Sequence, residues 1–244
     1  MQIVLLRVGA DMGCGGMLSP LFHDGTFEFL PIPDTVFQVD DRKYGEAKAK
    51  SHDGNLSDYF PKNWSREKRK LMSGMPMHVD PEFSTFTYGD PTPNKRGLQS
   101  LAQGDLLVFY AGLAAWDFEC PDALYIVAYF EIDRVVRAKD HSRAELMKEF
   151  GGNFHVRNQQ VFDEQQNRLL LYKGGKNSKL LSKAHRIGQY GTDRRGTRLH
   201  TLSDEMRDNV FGSFTVLNAN QRCAPRWVKV DRLPVAESFI RNLS

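Results

Sequence analysis

The chain starts with a short apolar run that ends in a charged residue and is followed by a glycine-rich segment. Residues Ile3 to Leu6 are aliphatic, Arg7 and Val8 follow, and three glycines lie within Gly13 to Gly16. An apolar run rich in branched side chains is typical of a central strand buried on both faces. The glycines allow positive φ and close approach to a ligand, although a tight turn explains them equally well. We predict a buried strand over residues 3–8 with a polar tip.

Charge and cysteine content exclude several classes of protein. The net charge is +3, from 33 Lys and Arg against 30 Asp and Glu, so charge alone indicates neither a nucleic-acid-binding nor a membrane-surface protein. Three widely spaced cysteines without a CxxC pair argue against a disulfide framework and a zinc knuckle. No basic segment precedes the first apolar run, and no run is long enough to span a membrane. We expect a cytoplasmic protein with no membrane partner.

Further strands are predicted from apolar or alternating patterns. They lie over residues 26–30, 106–110, 124–136 and 168–172. The segment between 106–110 and 124–136 has no helical period, so these two strands should pair antiparallel rather than through a helical crossover. Ser142 to Gly151 has a capping serine, a glutamate three positions later and a final glycine, which predicts a helix. The expected fold is α+β, or α/β, in a single domain over residues 1–244 with a mixed, partly antiparallel sheet.

Residues 34–94 form a long excursion without clear periodicity. They are rich in Asp, Lys, Gly, Ser and Pro, yet they keep anchoring aromatic residues such as Tyr59, Trp64 and Tyr88. A disordered linker would contain few such groups. We therefore predict that this excursion covers one edge of the sheet and a functional cleft.

The sequence contains no GxSxG, HExxH or GxGxxG signature. Carboxylates recur near glycine turns, and Asp11 and Asp80 are candidate acids or bases, although each is individually common as a turn or cap residue. If residues 78–80 are extended, His78 and Asp80 point to the same side, as a metal pair or an oriented base requires. No third ligand is evident, so the sequence assigns no metal site.

The remaining histidines and Cys14 are weaker candidates. Cys14 lies among glycines, and a nearby Arg7 would lower the pKa of an exposed thiol. No histidine can be placed beside it from the sequence. We expect the following histidines to be surface groups or satisfied core groups: His23, His155, His185 and His200.

Two basic segments follow in the last third of the chain. The strand at 168–172 runs into Lys173 and two glycines, and a short helix predicted near 180–184 would complete an anion site or a solvated turn. The second segment contains Tyr190 and three arginines, Arg194, Arg195 and Arg198. Arginines bind phosphate bidentately and tyrosine stacks on bases, although a solvated loop is as good an explanation.

Several segments together resemble the nucleotide modification associated domain family, type 3. In the opening stretch the matching residues are Arg7, Val8, Gly9, Asp11, Gly15, Gly16, Pro20, Leu21, Asp24, Gly25, Phe27, Phe29, Pro31, Ile32 and Pro33. Later matches, in order, are His78, Asp80, Pro81, Glu82, Phe83, Thr87, Tyr88, Gly104, Asp105, Phe109, Tyr110, Gly174, Ser178, Leu181, Pro225, Arg226 and Trp227. The resemblance implies a part in modifying nucleic-acid bases, in phage or bacterial defence settings, without specifying a reaction or a cofactor.

The leading hypothesis is an enzyme that acts on a nucleotide or a nucleic-acid base. Its predicted catalytic residues are Asp11, His78 and Asp80. Predicted anion ligands are Arg7, Lys173 and Arg226, and Tyr88 or Tyr110 would stack on the base. Arg194, Arg195 and Arg198 would contact nucleic acid.

The alternative is a non-catalytic reader of a modified base. Gly104 and Asp105, entering an apolar strand that ends in Phe109 and Tyr110, are similar to a feature of PUA, ASCH and EVE-type barrels. A third possibility is a structural protein without a cleft. The enzyme hypothesis requires Arg7, Asp11, His78 and Asp80 to meet in one pocket.

Overall fold

A computed structural model describes residues 1–192, 196, 198–213 and 224–244. Its strands are β1 (Ile3–Arg7), β2 (Ser19–Leu21), β3 (Ile32–Pro33), β4 (Met77–His78), β5 (Thr87–Asp90), β6 (Leu106–Ala115), β7 (Ala123–Arg137), β8 (Leu170–Gly174), β9 (Lys179–Arg186), β10 (Gly188–Thr192), β11 (Arg198–Leu202) and β12 (Arg226–Trp227). Its helices are α1 (Arg66–Ser73), α2 (Arg143–Phe150), α3 (Phe154–Arg157), α4 (Gln159–Gln165), α5 (Asp204–Met206), which continues as a π-turn to Phe211, and α6 (Leu233–Arg241). None of the helices formed by the described residues has the length and apolar character needed to cross a bilayer.

The main sheet is mixed, which confirms the predicted α+β fold with a partly antiparallel sheet. Its strand order is β12-β1-β6-β7-β8-β5, with β2 also paired to β6 and β9 also paired to β7. β1 and β6 are parallel, whereas β6 and β7 are antiparallel as the sequence predicts. β1 and the first eight residues of β6 are fully buried, because both strands are apolar along their length. β1 pairs with β12 on one side and with β6 on the other, so its tip lies inside the sheet and not at an edge.

The excursion has a small core of its own and contributes the last strand of the main sheet. Tyr44, Phe60 and Trp64 are buried together with Leu30 and Met77, so the segment is anchored by its aromatic residues. At its end, β5 pairs antiparallel with β8 and completes one edge of the sheet. The predicted covering of one edge is thus confirmed.

Two predicted elements differ from the structure, and a third is present as predicted. Residues 26–30 are not a strand, because the Glu28 carboxylate accepts hydrogen bonds from the amides of residues 50–52 and Phe27 makes only one bridge, to Leu21. The helix predicted near 180–184 is instead part of β9, since pairing with β7 overrides local helical pattern. The predicted helix after Ser142 is present as α2, with its capping box.

Candidate functional site

Arg7, Asp11, His78, Asp80 and Tyr88 all line one cavity of about 430 Å³. This volume is within the range of small-ligand sites. The cavity lies where β1 ends and where the excursion returns to the sheet. The convergence that the enzyme hypothesis requires is therefore present, while the chemical roles of these residues stay predictions.

The segment from Met77 to Pro81 forms a wall of this cavity. β4 pairs with β3, so His78 lies opposite Ile32 from the opening stretch of the chain. Successive side chains of an extended segment point to opposite sides. His78 and Asp80 accordingly face this cavity, whereas Met77, Val79 and Pro81 line a second cavity behind the wall.

His155 joins His78 and Asp80 in a compact cluster. The Nε2 atoms of the two histidines are 3.2 Å apart, and His155 Nε2 is 3.6 Å from Asp80 Oδ2. The side chains of Asp80 and His155 are almost completely buried. Two imidazoles and a carboxylate thus meet at the inner wall of the cavity.

Neighbouring residues fix the orientation of this cluster. Gln165 Oε1 is 2.6 Å from His155 Nδ1, and an amide oxygen can only accept, so Nδ1 carries a proton. Asp80 Oδ1 accepts hydrogen bonds from Gly89 N at 2.9 Å and from Asn153 Nδ2 at 2.6 Å. These contacts turn His155 Nε2 and Asp80 Oδ2 toward each other.

Two ring and backbone contacts complete the support. The Phe154 ring stacks on His78 with 4.0 Å between centroids. Asn153 also caps α3 by accepting from His155 N. The short helix α3 therefore carries His155 and, through the ring of Phe154, also holds His78 in place.

Burial decides the protonation states at this cluster. Burial lowers the pKa of His78 well below its usual range, and the neighbouring His155 lowers it further. Burial raises the pKa of the Asp80 carboxyl, and hydrogen bonds from His155, Gly89 and Asn153 oppose that rise. His78 is consequently a neutral imidazole at neutral pH, as both a base and a metal ligand require.

Arg7 brings a buried positive charge to the same cavity. Its side chain is only 4% exposed, and Nη2 is 3.7 Å from Asp11 Oδ2. Nε and Nη1 have no hydrogen-bond partner among the described residues. A buried guanidinium that is incompletely paired is costly unless a ligand completes it.

Asp11 has two structural functions at this position. Its Oδ1 accepts from Gly13 N at 2.7 Å and caps the turn Met12–Cys14, and its Oδ2 faces Arg7. The thiol of Cys14 is half-buried, and burial raises its pKa. The expectation that Arg7 activates this thiol is therefore not supported by the geometry.

Tyr88, Asp90 and Lys95 form a second polar group on the cavity wall. Lys95 Nζ is 2.6 Å from Asp90 Oδ2 and donates to the Tyr88 hydroxyl at 3.0 Å, and that hydroxyl donates to Asp90. The Tyr88 ring is buried against Tyr172 and Phe109. Tyr88 therefore shapes the cavity, and its faces are already packed.

Other residues that the sequence singled out lie elsewhere. Tyr110 is buried in β6 beside Arg7, Lys173 Nζ donates to Thr85 O, and Arg226 lies in β12 opposite Leu5. None of these three lines the cavity. Their predicted functions stay predictions.

The arginine-rich segment is mostly outside the described part of the chain. Arg194 and Arg195 lie outside the described residues, and Arg198 is described only as the first backbone position of β11. Their predicted contact with nucleic acid stays a prediction.

Sequence reasoning missed five residues of the site: Asp90, Lys95, Asn153, His155 and Gln165. His155 was expected to be a surface or satisfied core group. A signal exists in the order Asn153-Phe154-His155, which is a capping residue, an aromatic residue and a histidine at a helix start. This pattern indicates a function only once the fold is known, because the fold brings His155 against His78.

The second cavity, behind the 77–81 wall, has a volume of about 900 Å³ and is largely apolar. Phe27, Phe29 and Phe83 line it, together with the carboxylates of Glu28 and Glu82. Both carboxylates accept hydrogen bonds from backbone amides: Glu28 from residues 50–52, and Glu82 from residues 84–85. The titratable cluster belongs to the smaller cavity.

Comparison with known proteins places this site in a family. The chain matches no functionally curated protein and no solved structure. The family model described as nucleotide modification associated domain 3 matches residues 2–236, nearly the whole chain. The resemblance carried by the opening stretch and the 78–88 segment is confirmed: this chain belongs to the nucleotide modification associated domain 3 family.

Proposed function

We propose that this protein is an enzyme that modifies a nucleotide or a nucleic-acid base in the cavity beside His78, Asp80 and His155. One observation carries the proposal: buried imidazoles, a buried carboxylate and an incompletely paired arginine converge on a cavity of small-ligand size. Perturbed titratable groups in a cleft are typical of catalytic sites. The family's association with nucleotide modification supplies the substrate class.

The residues of the cavity suit different steps of such a reaction. Arg7 lines the cavity, and its guanidinium can bind a phosphate or an oxygen of the base. His78, Asp80 and His155 lie together at the cavity wall and offer acid–base or ligand groups to the reacting atoms, with Gln165 holding the His155 ring. Asp11 is the counter-ion and orienting partner of Arg7 in this scheme, rather than an acid or base.

The test is mass spectrometry of nucleosides from DNA, RNA and the free nucleotide pool of expressing cells, with and without phage infection. We expect a changed nucleoside in cells that contain the wild-type protein. Asp80→Asn should lower its yield at least about 100-fold. Asp117→Asn is the matched control, because Asp117 is exposed and its carboxylate contacts the surface residue His23.

An unchanged nucleoside profile in every fraction would argue against this function. Equal yields from the wild-type protein and from Asp80→Asn would place the chemistry elsewhere in the chain. Each variant is first checked by circular dichroism, so that loss of product is not caused by loss of the fold.

A non-catalytic reader of a modified base is the second candidate. The observation that favours it is the apolar cavity lined by Phe27, Phe29 and Phe83, which is large enough for a nucleoside. A reader would bind modified nucleosides without turnover and would lose affinity on Phe83→Ala. The enzyme would instead depend on Asp80.

A further inference from the structure

We propose that His78, Asp80 and His155 bind a divalent transition-metal ion. Each of the three side chains offers one ligand atom, and these atoms lie within 4.8 Å of one another. The inference rests on this geometry and goes beyond the proposed function, so it stands whether or not the substrate is a nucleotide.

The distances fit one ion. Two nitrogens 3.2 Å apart, each at the roughly 2.1 Å of a metal–imidazole bond, subtend an angle of about 100° at the ion. The 3.6 Å between His155 Nε2 and Asp80 Oδ2 can be bridged by the same ion at similar bond lengths. Tetrahedral and octahedral ions both accept such angles between neighbouring ligands.

The surroundings are those of a metal site. A ligating imidazole usually donates its other N–H to an oxygen, and His155 does so to Gln165. A ligating carboxylate usually has its second oxygen held by hydrogen bonds, and Asp80 Oδ1 accepts from Gly89 N and Asn153 Nδ2. Asp80 Oδ2 and His155 Nε2 are left to bind the ion.

The ligand types indicate the class of metal. Two imidazoles and one carboxylate suit Zn²⁺, Fe²⁺, Mn²⁺ or Co²⁺, whereas Mg²⁺ and Ca²⁺ are held mainly by oxygen atoms. Three protein ligands leave at least one coordination position open, as in catalytic rather than structural metal sites. The three ligand residues line the cavity that Arg7 also lines, so a ligand at the open position would share the cavity with a guanidinium.

The experiment uses the full chain without an affinity tag, because polyhistidine binds the same ions. The protein is stripped with a chelator, loaded with Zn²⁺ or Co²⁺, and analysed by calorimetric titration and elemental analysis. We expect about one ion per chain, and at least about 10-fold weaker binding for Asp80→Asn and His155→Gln. His23→Gln and Cys14→Ser are matched controls outside the cluster and should bind like the wild-type protein.

A wild-type protein that retains far less than one ion per chain would overturn the proposal, as would undiminished binding by both cluster variants. If those variants fail to fold, X-ray absorption of the Co²⁺-loaded wild-type protein decides. Scattering from two imidazoles is expected, and its absence would refute the site. Metal binding without nucleotide modification would refute only the proposed function.

Discussion

Arg7 is buried at the end of β1, yet two of its nitrogens have no partner among the described residues. A protein tolerates such a group at a cost in stability when a ligand uses it. Stability and ligand binding should therefore change in opposite directions when the guanidinium is removed.

We expect Arg7→Met to leave the free energy of unfolding unchanged or to raise it by about 1 kcal/mol, because a buried charge is replaced by an apolar chain. Binding of inorganic pyrophosphate and of nucleoside monophosphates should weaken at least about 10-fold, since a charge-assisted contact is lost. Urea denaturation and calorimetric titration measure the two effects. Arg134→Met, which removes an exposed partner of Glu149, should change neither greatly. A large destabilisation with full binding would contradict a ligand-binding role.

Asp40 connects the excursion to the segment that carries His155. Burial acts to raise the pKa of Asp40, but hydrogen bonds from Arg42 and Asn158 dominate and lower it to about 2. A carboxyl whose folded-state pKa is lowered stabilises the fold above its unfolded pKa. That contribution disappears as the pH falls toward the folded value.

The wild-type free energy of unfolding should therefore decline by about 2 kcal/mol through this group between about pH 5 and pH 2. Asp40→Asn should be less stable than the wild-type protein at neutral pH. Plotted against pH, the free energies of unfolding of the two proteins should converge near pH 2. Urea denaturation at a series of pH values checks this. Asp133→Asn, at an exposed position, should keep the wild-type slope. Parallel curves for wild type and Asp40→Asn would refute the assignment.

At the scale of elements, β5 and α3 must approach closely to form the cluster. A Cβ added at Gly89 in β5 would lie 2.7 Å from His155 Cδ2 and 3.0 Å from Asn153 Oδ1. Both contacts are too short for a side chain. Glycine at this position is therefore what allows the imidazole to pack against the strand.

Gly89→Ala should displace His155 and weaken Zn²⁺ binding at least about 10-fold, as expected when a supporting contact is lost. The Gly89 N–H remains, so hydrogen bonding to Asp80 can persist and the fold should be retained. Calorimetric titration and circular dichroism measure both properties. Gly175→Ala is the control, because its added Cβ meets only ordinary contacts at 3.6 Å. Unchanged affinity in Gly89→Ala would mean that His155 is not a ligand.

At the scale of the whole molecule, a bound ion would connect segments that are distant in the chain. His78 and His155 are 77 positions apart, and they belong to the excursion and to the helices after β7. Because the ligands come together only in the folded state, such an ion binds the folded chain and not the unfolded chain. Binding of this kind stabilises the folded state by mass action.

We expect Zn²⁺ at a hundredfold excess over its dissociation constant to raise the Tm by about 5 °C or more, from roughly 2.7 kcal/mol of linkage. Mg²⁺ at the same concentration should not do so, because the ligands are nitrogen-rich. Scanning calorimetry of the tag-free protein gives both values. Asp80→Asn, with at least about 10-fold weaker binding, should show at most about half of the Zn²⁺ shift. An equal shift in that variant would place the ion at another position.

Elements that depend on their own residues were predicted correctly, whereas elements that depend on contacts with distant segments were not. β1, β6 and β7 were predicted because their apolar runs are long enough to identify buried strands without knowledge of neighbours. β9 was predicted as a helix, because the leucines at 180 and 181 fit both periods and only the partner strand decides between them. The strand expected at residues 26–30 failed for a similar reason, since Glu28 is engaged by the excursion.

The sequence by itself determined the central strands, the helix after Ser142 and the family, because apolar periodicity, capping residues and motif order are local properties of the chain. It also indicated Arg7, Asp11, His78 and Asp80 as residues of interest. Only the tertiary structure brought His155, 77 positions after His78, against these residues and left two nitrogens of Arg7 without a partner among the described residues. Burial and contact between distant segments set protonation and ligand geometry, and neither can be read from neighbours in sequence.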